Sequence, residues 1–193
     1  MIPIFIISII SIYIFFERYN LLRNLTKNNN AFMALIEDFL LKKDFNAAKD
    51  KCKNTNSPIA NIIGKGIEHI DLPSNELRAC LESNSNIEIN KLEKGLSTLS
   101  TSAGMAPMIG FLGTVVGMIQ AFYDMSLAGS NINITLLSRG IYTAMVTTVA
   151  GLLVGIIAYF AYNTLTAKIN KISSVLESVN SEFLEIVYKI KKS

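Results

Sequence analysis

Four threonines, Thr114, Thr143, Thr147 and Thr148, stand inside two stretches free of charged residues, Gly95 to Tyr123 and Gly140 to Ala167. A hydroxyl there can accept from or donate to water, an ion or a neighbouring carboxyl, but it does not titrate near neutral pH. The chemistry on offer is therefore the lining of a polar path, not bond making. A membrane threonine commonly returns its hydroxyl to a carbonyl of its own helix at little cost. Placement argues for more: Thr114 lies one turn from Gly110 and Gly117, and Thr148 shares a helical seam with Gly151 and Gly155. Both should face another helix.

Catalytic patterns are missing. The chain has no nucleophile elbow, no His-Glu-x-x-His and no complete phosphate loop, Gly64-Lys65-Gly66 being only a fragment. The single His69 cannot build a metal site, and Cys52 and Cys80, without Cys-x-x-Cys spacing, read as free structural thiols. Carboxylates between residues 17 and 98 alternate with Lys and Arg, as on solvated helix faces. The expectation is a protein that is not an enzyme and needs no metal or cofactor.

The elements that must position the threonines follow from length. Both charge-free runs exceed the roughly 20 residues that cross about 30 Å of hydrocarbon as a helix. A third apolar run, Ile2 to Phe16, reaches only about 22 Å at 1.5 Å per residue. It lacks the basic flank and small-x-small site of a signal peptide, so it reads as a transmembrane helix that starts upstream of Met1 or inside the outer interface. Twelve Lys and Arg lie between Glu17 and Thr98, five follow from Lys168 to Lys192, and only Arg139 lies between the second and third spans. The positive-inside tendency then puts the N-terminus in the periplasm and the C-terminus in the cytoplasm.

The resulting plan is an all-α membrane protein with three transmembrane helices, the second and third extending as long helices into the cytoplasm. Its parts are a first span at 1–16, a cytoplasmic helical segment at 17–98, a second span at 99–123, a periplasmic loop at 124–139, a third span at 140–163 and a cytoplasmic helix at 164–193. Within the cytoplasmic segment a helix is expected over Ala31 to Lys53, preceded by Asn28, Asn29 and Asn30 as natural cap residues and with Phe32, Leu35, Phe39 and Leu40 recurring at helical spacing. A shorter helix over Pro58 to Ile70 ends at the Asp71-Leu72-Pro73-Ser74 turn. These read as helical pieces without a compact core or a convergent polar site.

Two seams with a 4-3 rhythm run through the spans. One passes Leu92, Leu96, Leu99, Ala103, Ala106, Gly110, Gly113 and Gly117 without a phase break; the other runs from Ala144 through Thr148, Gly151, Gly155, Ala158, Tyr162, Leu165, Ile169, Ile172, Leu176, Val179, Phe183 and Ile186 to Ile190. Outside the membrane the seams are Leu, Ile, Val and Phe. Inside, they become Gly, Ala and Thr, which let backbones approach where lipid supplies no hydrophobic drive.

Ala106-Pro107-Met108-Ile109-Gly110-Phe111-Leu112-Gly113-Thr114-Val115-Val116-Gly117-Met118 resembles the second-span signature of the MotA/TolQ/ExbB proton channel family. Gly140-Ile141-Tyr142-Thr143-Ala144-Met145-Val146-Thr147-Thr148-Val149-Ala150-Gly151-Leu152, with Ala161-Tyr162-Asn163, resembles its third. Glu17-Arg18, Leu22-Arg23 and Ser57-Pro58-Ile59-Ala60 add to the likeness, which is closest to the ExbB/TolQ branch.

The resemblance implies a bacterial inner-membrane homo-oligomer, a pentamer, around a single-span ExbD/TolR-type partner that carries the membrane Asp, with a TonB/TolA-type protein beyond it. It implies a proton-channel or stator subunit of an ion-driven motor for protein and biopolymer transport. Thr114 and Thr148 take the family's pore-facing threonine positions, with Thr147 and Thr143 beside them; Gly110, Gly113, Gly117, Ala144, Gly151 and Gly155 take the packing or partner-facing ones. At Thr143 many ExbB/TolQ members carry a glutamate, and this chain departs. A non-conducting membrane scaffold is the alternative reading.

Overall fold

The computed structural model of the chain describes residues 1–25, 29–127 and 134–192. These residues form seven helices: α1 Ile2–Leu25, α2 Asn29–Leu41, α3 Phe45–Lys53, α4 Pro58–Glu68, α5 Ser74–Leu92, α6 Leu96–Leu127 and α7 Ile134–Lys192. Of these, α1, α6 and α7 are long and apolar enough to cross a membrane. The chain is an all-α, multi-pass membrane protein. Its 24-residue first helix rises about 36 Å, which removes the length problem posed by Ile2 to Phe16 alone: the helix simply continues past Glu17.

Two compact units emerge, one of residues 1–17 and 95–165, the other of residues 18–94 and 166–193. The first holds most of α1, all of α6 and the first half of α7. Its side chains are largely exposed on the outside, including Phe5, Ile9, Phe111, Ile119, Ile156 and Phe160, as lipid-facing residues are. Connections also differ in length from the expectation. Helix α6 runs on to Leu127 and α7 starts at Ile134, so much of the segment 124–139 is helical.

The second unit has a water-soluble type of core, contrary to the expectation of loose helical pieces. Leu22, Met33, Ile36, Leu40, Ile62, Ile63, Leu77, Leu81, Ile169, Leu176 and Phe183 are buried in it. Gly66 makes room for the Phe183 ring: a Cβ there would stand 2.6 Å from the ring edge and 2.9 Å from Leu81 Cδ2. Lys168 caps the Tyr19 ring at 3.5 Å, and Lys191 Nζ donates to Leu72 O at 2.6 Å, tying the end of α7 to the turn before α5.

Three expectations about this unit are corrected. The single helix over Ala31 to Lys53 is two, because Lys43 adopts φ 58°. Its N–H donates to Leu40 O and that of Asp44 to Phe39 O, both at 3.0 Å, which is the paired closure of a left-handed helix C-cap. Asp44 then caps α3 by accepting from Ala47 N at 3.1 Å. The buried face of α2 is Met33, Ile36 and Leu40; Phe32 and Phe39 are half-buried and Leu35 is exposed. Asn29 and Asn30 belong to α2 itself, and Asn28 lies outside the described residues.

The seam from Leu92 to Leu96 also has a break. Helix α5 ends at Leu92 and α6 begins at Leu96, with Gly95 between them at φ +89°, a conformation that only glycine holds without strain. Leu92, Leu96 and Leu99 are nonetheless all buried. The 4-3 rhythm survived because the break leaves the spacing of apolar residues intact while turning the backbone. In α4, Ser57 accepts from Ala60 N at 3.2 Å and Pro58 occupies the first turn, so the Ser57-Pro58-Ile59-Ala60 stretch is a helix start.

Candidate ion pathway between α6 and α7

Helices α6 and α7 run antiparallel, since their close approaches pair Gly155 with Pro107, Gly151 with Ala106 and Gly110, Thr147 with Gly113, Ala144 with Gly117 and Gly140 with Ala121. At the centre the obstruction is backbone. A Cβ on Gly151 would stand 2.6 Å from Ala106 O and 2.9 Å from Gly110 Cα, and one on Gly110 would stand 3.1 Å from Gly151 Cα. Such proximity puts glycine Cα–H groups against carbonyl oxygens of the facing helix, a weak attraction available only to small residues.

Pro107 contributes to that row. Proline has no N–H to return to Ala103 O, so this carbonyl is left free of its helical partner. A Cβ on Gly155 would stand 3.1 Å from it and 2.6 Å from the Pro107 ring. The small-residue positions Gly110, Gly113, Gly117, Ala144, Gly151 and Gly155 all lie in this contact. Gly140 and Ala121 extend it by a further turn: a Cβ on Gly140 would stand 2.5 Å from Ala121 Cβ. The signal for Gly140 was its position four residues before Ala144, at the seam's own phase.

Among the threonines, Thr148 and Thr114 are brought together and the others are not. Thr148 Oγ1 donates across the interface to Gly110 O at 2.9 Å and lies 3.5 Å from Thr114 Oγ1. Thr114 Oγ1 donates to Phe111 O at 2.6 Å. Both hydroxyl protons are thus committed to carbonyls, and the 3.5 Å separation is a loose contact of two oxygens. What the pair has left to offer are lone pairs. It can accept from water, from a protonated carboxyl, or coordinate a cation, but holds no proton reservoir of its own.

Thr143 and Thr147 return their hydroxyls to their own helix, to Arg139 O at 2.9 Å and Thr143 O at 3.1 Å. Thr147 instead uses its methyl, which lies where a Cβ on Gly113 would be, 2.5 Å away. Aromatic residues bracket the pair along α7: Tyr142 and Tyr162 are 20 positions apart, about 30 Å of helix, the thickness of a hydrocarbon core. Thr148 falls inside that interval.

Other candidate groups lie elsewhere and are ordinary. His69 is the C-terminal cap of α4, exposed, with Nδ1 3.0 Å from Lys65 O. Cys52 and Cys80 are free thiols; burial in α3 pushes the Cys52 thiol up from the ordinary 9.0 to about 11. The Glu68 carboxylate, 2.8 Å away, raises Lys65, while the lysine holds Glu68 down. Among the described residues no cluster of three or more His, Cys, Asp or Glu could hold a metal ion.

Comparison with known proteins gives the frame. Over 120 residues the chain is 32% identical to the ExbB-like 1 protein of Synechocystis sp., covering 61% of this chain and 47% of that protein. It is 35% identical over 105 residues to the Tol-Pal system protein TolQ of Haemophilus influenzae, covering 54% of this chain and 45% of that one. Against the biopolymer transport protein ExbB of Helicobacter pylori the identity is 38% over 82 residues, 42% of this chain and 56% of the other. The chain thus spans about half the length of these curated relatives. With residues 54–178 matching the family profile, and with two membrane helices sealed by glycine and joined by Thr148, this chain belongs to the MotA/TolQ/ExbB proton channel family.

Proposed function

We propose that this chain is the channel-lining stator subunit of an inner-membrane complex that converts proton-motive force into transport or envelope work at the outer membrane. The observation that carries this reading is the Thr148–Gly110–Thr114 cluster, a hydroxyl pair held across two membrane helices in stretches without charge. Membership of a family whose relatives are named for biopolymer transport and the Tol-Pal system supports it.

On this reading several copies, five by analogy with the family, surround a single-span ExbD/TolR-type partner whose membrane Asp titrates, and a TonB/TolA-type protein receives the work. The N-terminus lies in the periplasm and the C-terminus in the cytoplasm, following the basic residues. Thr114 and Thr148 accept hydrogen bonds along the path and Thr147 and Thr143 flank it. An elementary charge crossing 100 mV yields about 2.3 kcal/mol, enough to shift a helix contact but not to unfold a helix. A seam of glycine against backbone suits small sliding steps.

Thr143, with its hydroxyl bound to Arg139 O, favours the competing reading of a non-conducting scaffold. Reconstitution with the cognate single-span partner separates the two. Thr148→Val should cut proton flux at least about tenfold, a barrier change of about 1.4 kcal/mol, with assembly unchanged, and Thr148→Ser should restore it. Flux unaffected by Thr148→Val would leave the scaffold.

A further inference from the structure

Where α1 and α7 leave their apolar runs, cations follow with no carboxylate among them. On α1, residues 18–25 carry Arg18 and Arg23; on α7, residues 166–176 carry Lys168 and Lys171. The nearest acids along these helices are Glu17, two positions from Tyr19 and so on another face of α1, and Glu177. Arg23, Lys168 and Lys171 hold no ion pair among the described residues. By contrast Lys42, Lys65, Arg78, Lys91 and Lys189, in the same unit, each bind a carboxylate of their own helix.

One contact fixes how the two helices present these charges. Lys168 Nζ stands 3.5 Å from the centre of the Tyr19 ring, and the residues that hold the helices there, Leu22 on α1 and Ile169 on α7, are buried. Arg23 lies one turn beyond Tyr19 and Lys171 one turn beyond Lys168, so helical spacing puts both on the sides that flank this contact. The ring takes one side of the half-buried ammonium and leaves its remaining N–H donors outward. Depth agrees with this. Lys168 directly follows the charge-free run that ends at Ala167, and Lys171 stands about 4.5 Å further along the helix, within the roughly 5–8 Å that headgroups add on one side of a bilayer. The positive-inside tendency accounts for basic residues at this end of the spans. It does not account for their gathering about one groove from which acids are absent.

We propose that this groove between α1 and α7 binds the phosphate headgroup of an anionic phospholipid, held by Lys168, Lys171 and Arg23, with the Tyr19 ring backing the lysine. Phosphodiester oxygens accept charge-assisted hydrogen bonds from such donors. The acyl chains keep the lipid at the groove, an anchorage that free phosphate lacks. The site rests on the membrane assignment of α1 and α7 and asks nothing of ion conduction.

Thermal unfolding of the full chain in uncharged detergent micelles, titrated with dioleoylphosphatidylglycerol and separately with dioleoylphosphatidylcholine, tests this. The anionic lipid should raise the unfolding temperature saturably and the zwitterionic one should not. Arg23→Gln and Lys171→Gln, both exposed changes, should each raise the half-saturating concentration about fivefold, and Lys168→Gln at least as much. Lys168→Arg, which keeps a cation over the ring, should preserve binding. Lys51→Gln combined with Lys53→Gln removes two exposed charges from α3 and should leave the lipid response unchanged. Equal stabilisation by both lipids, or a response indifferent to Arg23→Gln and Lys171→Gln in protein that still unfolds cooperatively, overturns the proposal. So does an equal loss in the α3 variant, which would mean attraction by net charge alone, or the same rise from millimolar inorganic phosphate, which would make the free anion the ligand. Proton flux enters none of these readings, so their failure leaves the channel reading standing.

Discussion

Glycine is used in opposite ways in the two units of this chain. Gly151, in the membrane seam, is opposed by backbone: Ala106 O and Gly110 Cα are the atoms a Cβ would meet. Gly66, in the helical core of the other unit, is opposed by the ends of two side chains, Phe183 and Leu81. The first glycine lets two main chains touch; the second leaves a hollow that a ring fills. Where lipid surrounds the helices, association must come from contact itself. Where water surrounds them, a large buried side chain does the work, and glycine merely accommodates it.

The largest test of this contrast is Phe183→Ala. Phe183 is fully buried, so its removal should cost about 3–5 kcal/mol. Hydrogen exchange on the full chain should show lost protection in α4, α5 and the end of α7, while the α6–α7 contact keeps its protection. Equal loss in both would mean that the units do not stand apart energetically.

Next comes Gly151→Ala, with an expected cost of about 1–3 kcal/mol from forcing two backbones apart. Gly66→Ala should cost less, because a ring can tilt, and Phe183→Leu should recover part of that loss in the double variant. No trimming of a side chain should rescue Gly151→Ala, since Ala106 O and Gly110 Cα cannot be trimmed. Thermal unfolding in detergent reads all four variants, and rescue of Gly151→Ala by a neighbouring side-chain substitution would break the distinction.

The sequence shows this difference in the composition of its seams, Gly, Ala and Thr in one part and Leu, Ile, Val and Phe in the other, and α7 follows it closely. Ala144, Gly151, Gly155, Ala158, Leu165, Ile169, Ile172, Leu176, Val179, Phe183 and Ile186 are all buried. The pattern drifts in the middle, where Thr148 is half-buried and Ala161 is buried in place of Tyr162, and at the end, where Val187 is buried and Ile190 half-buried. A 3.5-residue rhythm on a helix of 3.6 residues per turn must slip in this way.

Breaks were harder to read than faces. Neither Lys43 in a left-handed conformation nor the turn at Gly95 disturbs the apolar spacing, so periodicity ran through both. The pairing of Thr148 with Gly110 O was legible as a shared seam, whereas the committed hydroxyl protons depend on rotamers that spacing does not encode. Buried Asn180 was visible only as a polar residue beside an apolar stripe, and Ser85, to which its amide donates at 2.8 Å, is 95 positions away.

Cys52 gives a graded effect confined to the second unit. Its folded pKa, about 11, lies above the ordinary 9.0, so the folded form holds this proton more tightly than the unfolded chain. Stability from this group is therefore intact below about pH 9 and declines as pH rises through about 11. Cys52→Ala should flatten that decline in alkaline unfolding curves, and half-buried Cys80 should alkylate faster than Cys52 in the folded protein.

The smallest expected effect sharpens the comparison most. Gly104 lies in α6 with nothing within 4 Å of where a Cβ would be, so neither of the two uses of glycine applies to it. In the isolated chain Gly104→Ala should be neutral or stabilising, by up to about 1 kcal/mol, because alanine is the better helix former. The same substitution can be made in the assembled complex that the proposed function calls for. If the gain persists there, the face of α6 that carries Gly104 meets only lipid or solvent. If the gain turns into a loss confined to the complex, Gly104 serves as Gly151 does, admitting a neighbouring backbone, and the seam within the chain is matched by a second one between chains.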